Sequence, residues 1–190
     1  MSSSEIVRYR RAETRDAPAV AALHVDSWRR HYRGAYTDAF LDGDVEADRL
    51  ETWASRLAHP RTDAACAMVA EENGVVIGFA YTIWDEDPHW GALLDNLHVV
   101  HDQKRLGVGT QLMARTAQVL LERVSVGGLY LWVLELNTAA QAFYEARGGI
   151  RVERGLAPAP GGDPDRLAGA PRRLRYVWRE PSELLLWLKV

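Results

Sequence analysis

Cysteine is nearly absent from this chain: Cys66 stands alone among 190 residues. A single cysteine forms no internal disulfide, which excludes a cross-linked secreted scaffold and suits a reducing, cytoplasmic setting. Long apolar runs are missing as well. The longest, Leu184 to Leu188, is far too short to cross a bilayer. The N-terminal Met-Ser-Ser-Ser-Glu-Ile-Val-Arg lacks the apolar segment of a signal peptide, so no membrane partner is expected. There is no basic excess: 23 Lys and Arg against 26 Asp and Glu leave a net charge of −3, which offers nucleic acid no attracting field. Six histidines are scattered with neither His-Glu-x-x-His nor paired-cysteine spacing, so no metal is expected. No internal repeat is visible.

What is present is ordinary globular material, 47% hydrophobic and 26% charged, enough to bury a core. One domain over residues 1–180 with a short C-terminal element at 181–190 fits that length. Ile6 to Arg11 reads as a first strand. Thr14 or Asp16 can cap a helix that has Pro18 in its first turn and runs to about Tyr32. A short helical piece follows at Thr37–Leu41. Another helix is capped by Asp44 and stops at His59-Pro60. Cys66 to Glu72 and Val75 to Trp84 flank Asn73-Gly74, the strongest local hairpin signal because both turn residues need positive φ. Asp85 to Pro88 reads as a loop, followed by a strand from about Gly91. Two strand-helix units come next: the helix after Gly109 and the strand Leu129–Leu134, then the helix Asn137–Arg147 and the strand from Ile150. Leu156 to Pro171 is a proline- and glycine-rich loop. Arg173 to Arg179 alternates, with Leu174, Tyr176 and Trp178 on one face and arginines on a face expected to meet solvent. The order predicts an α/β (α+β) fold with a mixed, mostly antiparallel central sheet flanked by helices.

The chemistry concentrates between Leu93 and Met113. Lys104-Arg105-Leu106-Gly107-Val108-Gly109-Thr110 joins a strand to a helix through glycines. Glycines let a ligand approach the backbone closely, and the first N–H groups of a helix favour phosphate or pyrophosphate. The residues of a Walker P-loop are absent, and neither Leu112 nor Met113 supplies the third glycine that a dinucleotide fingerprint needs after Gly107 and Gly109. A solvated strand-to-helix turn explains the heptad equally well when it is taken alone.

The strand Leu94-Asp95-Asn96-Leu97-His98-Val99 followed by Lys104-x-x-Gly107-x-Gly109 resembles the acyl-CoA-binding motif of the GNAT N-acetyltransferase superfamily, Gln/Arg-x-x-Gly-x-Gly/Ala, with Lys104 departing at its first position. Asn137-x-x-Ala140-x-x-Phe143-Tyr144-x-x-x-Gly148 is similar to a second motif of that family, in its expected helix. The resemblance covers about Val69 to Ile150. It implies acetyl transfer from acetyl-CoA to a primary amine of a small molecule or a protein N-terminus. Splayed parallel strands, Leu93–Val100 and Leu129–Leu134, would admit the pantetheine arm. Leu97, His98, Val99, Lys104, Arg105, Leu106, Gly107, Val108, Gly109, Thr110, Asn137 and Tyr144 would serve the cofactor.

An amine with a reference pKa of about 10.4 is protonated at neutral pH, so direct attack on a thioester needs a base, and the departing thiolate needs an acid. By motif position Tyr144 takes the acid role, against a reading as a core aromatic. Asn137 is read either as a cofactor ligand or as a plain helix cap. Asp95, placed by alternation on the face of Leu93, Leu97 and Val99, is a candidate base, with Glu135 or a water chain as substitutes. The family's catalytic-glutamate position is Leu93 here. Alternation turns the His98 side chain to the opposite face, into packing. Trp28, Tyr32 and Trp84 are expected at the acceptor, where the acidic Trp84–Asp87 run would suit a cationic amine. Arg172, Arg173 and Arg175 read as a solvated strand face. A homodimer is possible, given exposed strands and the aromatic C-terminus. The opposing function class is a non-catalytic acyl-CoA sensor, and a weaker one is nucleotide binding at the same turn.

Overall fold

In a computed structural model, which describes residues 7–58, 64–103, 105–123 and 127–188, the described residues form a seven-stranded sheet in the order β1-β2-β3-β4-β5-β7-β6. The strands are β1 (Arg8–Arg11), β2 (Ala65–Glu72), β3 (Val75–Asp87), β4 (Gly91–Val99), β5 (Leu129–Leu134), β6 (Ile150–Leu156) and β7 (Arg172–Trp178). The helices are α1 (Ala17–His31), α2 (Asp38–Asp42), α3 (Val45–Ala58), α4 (Val108–Leu121) and α5 (Thr138–Glu145). Every strand pairing is antiparallel except β4 with β5, so the mixed, mostly antiparallel sheet expected from the element order is what forms. The expected helix stop at His59-Pro60 and the Lys104 side of the basic turn lie outside the described residues.

Helices cover both faces. Leu112, Met113 and Ala117 of α4 pack with Leu94, Leu131, Tyr144, Tyr176 and Trp178 as the main core. On the other face α1 and α3 close over Val69 and Phe79, with Trp53 of α3 fully buried. Burying an indole orphans its N–H unless a partner is near. Trp53 Nε1 donates to His24 Nδ1 at 3.0 Å, which fixes α3 against α1. Burial first, then the neighbouring His98, Arg49 and Arg56, holds the His24 imidazole well below its ordinary pKa, so it stays neutral. The N-terminus of α1 is tied to the sheet by Arg10, which donates to Asp16 at 2.7 Å and to Glu71 at 2.6 Å. The C-terminal residues Pro181–Trp187 form a 3-10 helix against α4, with Leu184 buried and the Trp187 carbonyl accepting from Gln111 Nε2 at 2.6 Å.

Two local readings change. Asp85–Asp87 continue β3 instead of forming a loop, because Asp87 pairs with Gly91 across the hairpin. Its Oδ1 accepts the His89 and Trp90 N–H groups at 2.9 and 3.1 Å, which closes a tighter turn than Pro88 suggests. The Asn73-Gly74 turn is as expected, with φ of 51° and 80°. Of the β7 arginines expected to be solvated, Arg172 is exposed but Arg173 and Arg175 are half-buried. Arg175 is 13% exposed and bound to Asp87 and Glu153 at 3.2 and 3.1 Å, and Arg173 stacks 4.1 Å over the Trp132 ring. Neighbouring strands supply aromatic and acidic cover that a single-strand pattern does not reveal.

Candidate active site

The parallel pair β4–β5 holds together only at Ala92↔Leu129 and Leu93↔Tyr130. Beyond Leu93 the strands diverge, while β4 stays paired to β3 and β5 to β7. This leaves the facing edges of Leu94–Val99 and Leu131–Leu134 with main-chain groups not used by each other, a slot of the kind an extended ligand enters as an added strand. A bulge accompanies the divergence. Tyr81 pairs with Asn96 but Thr82 with Leu94, so Asp95 is an extra residue on β4. The bulge resets the alternation. Leu94, Leu97 and Val99 all pack toward the main core, whereas the Asp95 carboxylate meets Arg56 of α3 at 3.1 Å and accepts from Asn96 Nδ2 at 2.6 Å. The expected sharing of a face by Asp95, Leu97 and Val99 is therefore corrected. His98 points to α1, as alternation suggested, with Nδ1 2.7 Å from Ser27 Oγ and its ring 4.6 Å from that of His24.

At the mouth of the slot β4 leads through the His101–Gln103 turn to Arg105, Leu106 and Gly107. Arg105 has φ of 70° and Gly107 φ of 90°, two left-handed residues immediately before α4. The first intrahelical bond is Gln111 N–H to the Gly107 carbonyl at 2.9 Å, so the N–H groups of Val108, Gly109 and Thr110 have no partner within the helix. A Cβ on Gly107 would meet nothing within 4 Å; the backbone is open to a ligand on that side. Gly109 has a different reason. Its Cβ would approach Phe143 to 3.3 Å, so it lets α5 pack against α4.

Behind this turn lies a residue the motifs did not single out. Arg147 donates through Nε to Thr110 Oγ1 at 2.8 Å and through Nη1 to the Phe143 carbonyl at 2.9 Å, with its guanidinium 3.7 Å over the Phe143 ring. Burial lowers its pKa from the ordinary arginine value, though not enough to discharge an arginine at neutral pH. Only its spacing of four from Phe143 on a helix hinted at the stacking. Open N–H donors, a positive helix end and a fixed cation together fit the pyrophosphate of an acyl-CoA. Asn137 caps α5, its Oδ1 accepting from the Ala140 N–H at 3.2 Å, so the capping role is realised whatever else the amide does.

Four side chains converge where the strands part. Tyr144 is buried, its ring 6.2 Å from Tyr176 and 6.1 Å from Trp178, and burial alone raises its phenol above the ordinary value. Tyr32 is raised by burial first, then by Tyr36, Tyr144 and Asp95, which puts each of these three within electrostatic reach of Tyr32. Tyr36 is pushed up to about 12, by burial above all, with Arg49 and Arg173 pulling it down and Asp95 pushing it further up. Trp28 stacks on Tyr32 at 5.5 Å and carries Arg49 4.4 Å over its ring. Trp28, Tyr32 and Tyr36 thus pack together, Tyr144 and Asp95 lie within electrostatic reach of Tyr32, and Arg49 and Arg173 within that of Tyr36. Trp84 does not join them. It is buried in the main core beneath α4, with Arg123 5.2 Å over its ring, on the opposite side of the sheet from Trp28. Glu135 is also elsewhere, bound to Arg154 at 2.7 Å, an ion pair that lowers its carboxyl pKa.

A sheet split between one parallel pair, beside a glycine turn built for an anion, defines an enzyme class that takes an acyl-CoA. The comparisons agree. A profile of the acetyltransferase (GNAT) family matches residues 25–149. The chain is 28% identical over 149 residues to the uncharacterized N-acetyltransferase YuaI of Bacillus subtilis, covering 77% of this chain and 82% of that protein. In fold it is similar to the PaiA N-acetyltransferase of Thermoplasma acidophilum, crystallised in complex with coenzyme A, with a TM-score of 0.72, 14% identity, and 91% and 99% of the two chains covered. The chain belongs to the GNAT family and is an acetyl-CoA-dependent acyltransferase. Among the described residues no helix is long and apolar enough to cross a membrane.

Proposed function

We propose that the protein transfers the acetyl group of acetyl-CoA to a primary amine that reaches the sheet from the α1–α2 side. The observation that carries this reading is the divergence of β4 from β5 just ahead of the left-handed turn into α4, with Tyr144, Tyr36 and Asp95 within electrostatic reach of Tyr32. The PaiA structure is a complex with coenzyme A, which supports a coenzyme A thioester as the cosubstrate. Backbone N–H groups from Arg105 to Thr110 would hold the pyrophosphate, with Arg147 adding charge behind Thr110 and Lys104 on the turn. Main-chain groups of Leu97, His98 and Val99 would pair with the pantetheine arm. Acetyl-CoA supplies an acetyl group activated as a thioester. Asp95, which raises both Tyr32 and Tyr36, draws the amine's proton, and Arg56 and Asn96 hold it in place.

Tyr144 keeps its phenol proton at every physiological pH, because burial raises it above 10. An ordinary thiol has a pKa of about 8.5, so complete proton transfer from this phenol to a thiolate runs uphill. Tyr144 therefore acts chiefly by donating a hydrogen bond to the sulfur as its charge develops, a donor already in place in a dry site. The test is an amine panel read by release of free CoA, with Tyr144→Phe alongside. Wild-type turnover together with a roughly 100-fold lower kcat in Tyr144→Phe at unchanged CoA affinity is expected. Tight CoA binding with no turnover on any amine would favour the sensor reading, and intact turnover in Tyr144→Phe would remove Tyr144 from the chemistry.

A further inference from the structure

Two arginines on one face of β7 are treated very differently. Arg175 is clamped by Asp87 and Glu153, at 3.2 and 3.1 Å. Arg173, two residues away on the same face, has no hydrogen bond or ion pair among the described residues, and its Nε is buried. It lies across from Leu134 of β5, which packs with Trp28, Tyr36 and Phe40, and its charge reaches the phenols of Tyr36 and Tyr130. Burial, and then the like charge of Arg175, lower its pKa; Glu153 offsets this only at a distance, because its carboxylate is bound to Arg175. The other arginines of this wall have ion-pair partners: Arg49 has Asp48, which it shares with Arg166, and Arg56 has Asp95. Of the acidic run that a cationic acceptor would want, Asp87 is already engaged, accepting from two backbone N–H groups and from Arg175.

We infer that Arg173 is a specificity-determining residue that binds a carboxylate on the acceptor, so that the substrate is an amino acid or a similar amine bearing one acid group. With Trp132 stacked 4.1 Å below the guanidinium, its face is occupied and its N–H edge is left for a planar oxyanion, which a guanidinium grips with two parallel hydrogen bonds. One unmatched positive charge suits a monoanion and not a phosphate dianion. A diamine would bring a second cation toward it and is disfavoured.

The inference rests on the acetyl-transfer reading, and the experiment separates the two. CoA release is measured for L-amino acids, their matched carboxamides and aliphatic diamines, with wild type, Arg173→Met and Arg173→Lys. Wild type is expected to favour the acids by about 10-fold or more in kcat/KM. Arg173→Met should lose about 10- to 100-fold on the acids and stay within about threefold on the amides, with Arg173→Lys between them. Because an uncompensated cation is removed, Arg173→Met should melt no lower than wild type. Amides or diamines used as well as acids by wild type, or an equal loss on acids and amides in Arg173→Met, would overturn the assignment and leave the transferase standing. If no amine is turned over, calorimetry with N-acetyl-amino acids decides: binding by wild type that Arg173→Met loses keeps the carboxylate site while acetyl transfer falls, and identical binding, or none, overturns it.

Discussion

Gly107 and Gly74 form a matched pair that isolates what the anion-binding turn does. Both are left-handed, with φ of 90° and 80°, and a Cβ on either would meet nothing within 4 Å. The steric consequences of Gly→Ala are therefore the same at the two sites: about 1–2 kcal/mol for an L-residue in the left-handed region, with no clash to add. In a chain of this size that is a fall in melting temperature of roughly 2–8 °C. The sites differ only in surroundings. Gly74 lies in the β2–β3 turn, whereas Gly107 precedes the unpartnered N–H groups of α4. If the pyrophosphate approaches the Gly107 backbone, a methyl group there displaces one charge-assisted hydrogen bond, worth about 1.5–3 kcal/mol, which is roughly 10- to 100-fold in affinity. Titration calorimetry with CoA should show Gly74→Ala binding like wild type and Gly107→Ala binding at least 10-fold more weakly, while both unfold at similar denaturant concentrations. Equal CoA affinity in the two variants would refute the argument: Gly107 would then serve only the turn's geometry.

Two further outcomes concern stability. The folded-state pKa of His24 is depressed below its unfolded value of about 6.5, so its contribution is complete above that pH and declines as pH falls below it, by up to about 1.4 kcal/mol per pH unit. Urea midpoints of wild type should drop between pH 7 and 5.5 more steeply than those of His24→Gln, whose amide oxygen can still accept from Trp53; parallel slopes would exclude His24 as the source. Asp16 has its carboxyl held below the ordinary range by the Arg10 hydrogen bond above all, so its contribution is present at neutral pH and lost as pH falls below about 3.8. Asp16→Ala at pH 7 should cost about 3 kcal/mol, because it strands a largely buried guanidinium on Glu71 alone. A loss under about 1 kcal/mol in denaturant titration would mean that solvent already screens the pair.

The cofactor half of the site was legible in the sequence because it depends on backbone. Glycines with positive φ, a strand before them and a helix after them are written locally, and Tyr144 follows from a motif within one helix. The acceptor half depends on parity and on neighbours, and there local reading fails in two specific ways. Asp95 is an inserted residue on β4, and a bulge is invisible to period-two counting, so every face assigned across it on alternation alone is unreliable. Trp84 and Trp28 are equally good aromatic candidates by composition, yet lie on opposite sides of the sheet, because a strand residue's face is set by its pairing register and not by its residue type.

The arginines of β7 carry the same lesson one step further. A polar strand face is solvated only if nothing covers it, and here Trp132 and Tyr130 of β5 and the acids of β3 and β6 cover it. That cover converts a pattern that looks like surface into a charge balance. Arg175 ends neutral in effect, and Arg173 does not. A half-buried cation with no ion pair of its own costs stability. Under our proposal a carboxylate on the acceptor completes Arg173, because Glu153, the acid that reaches it, is already held by Arg175.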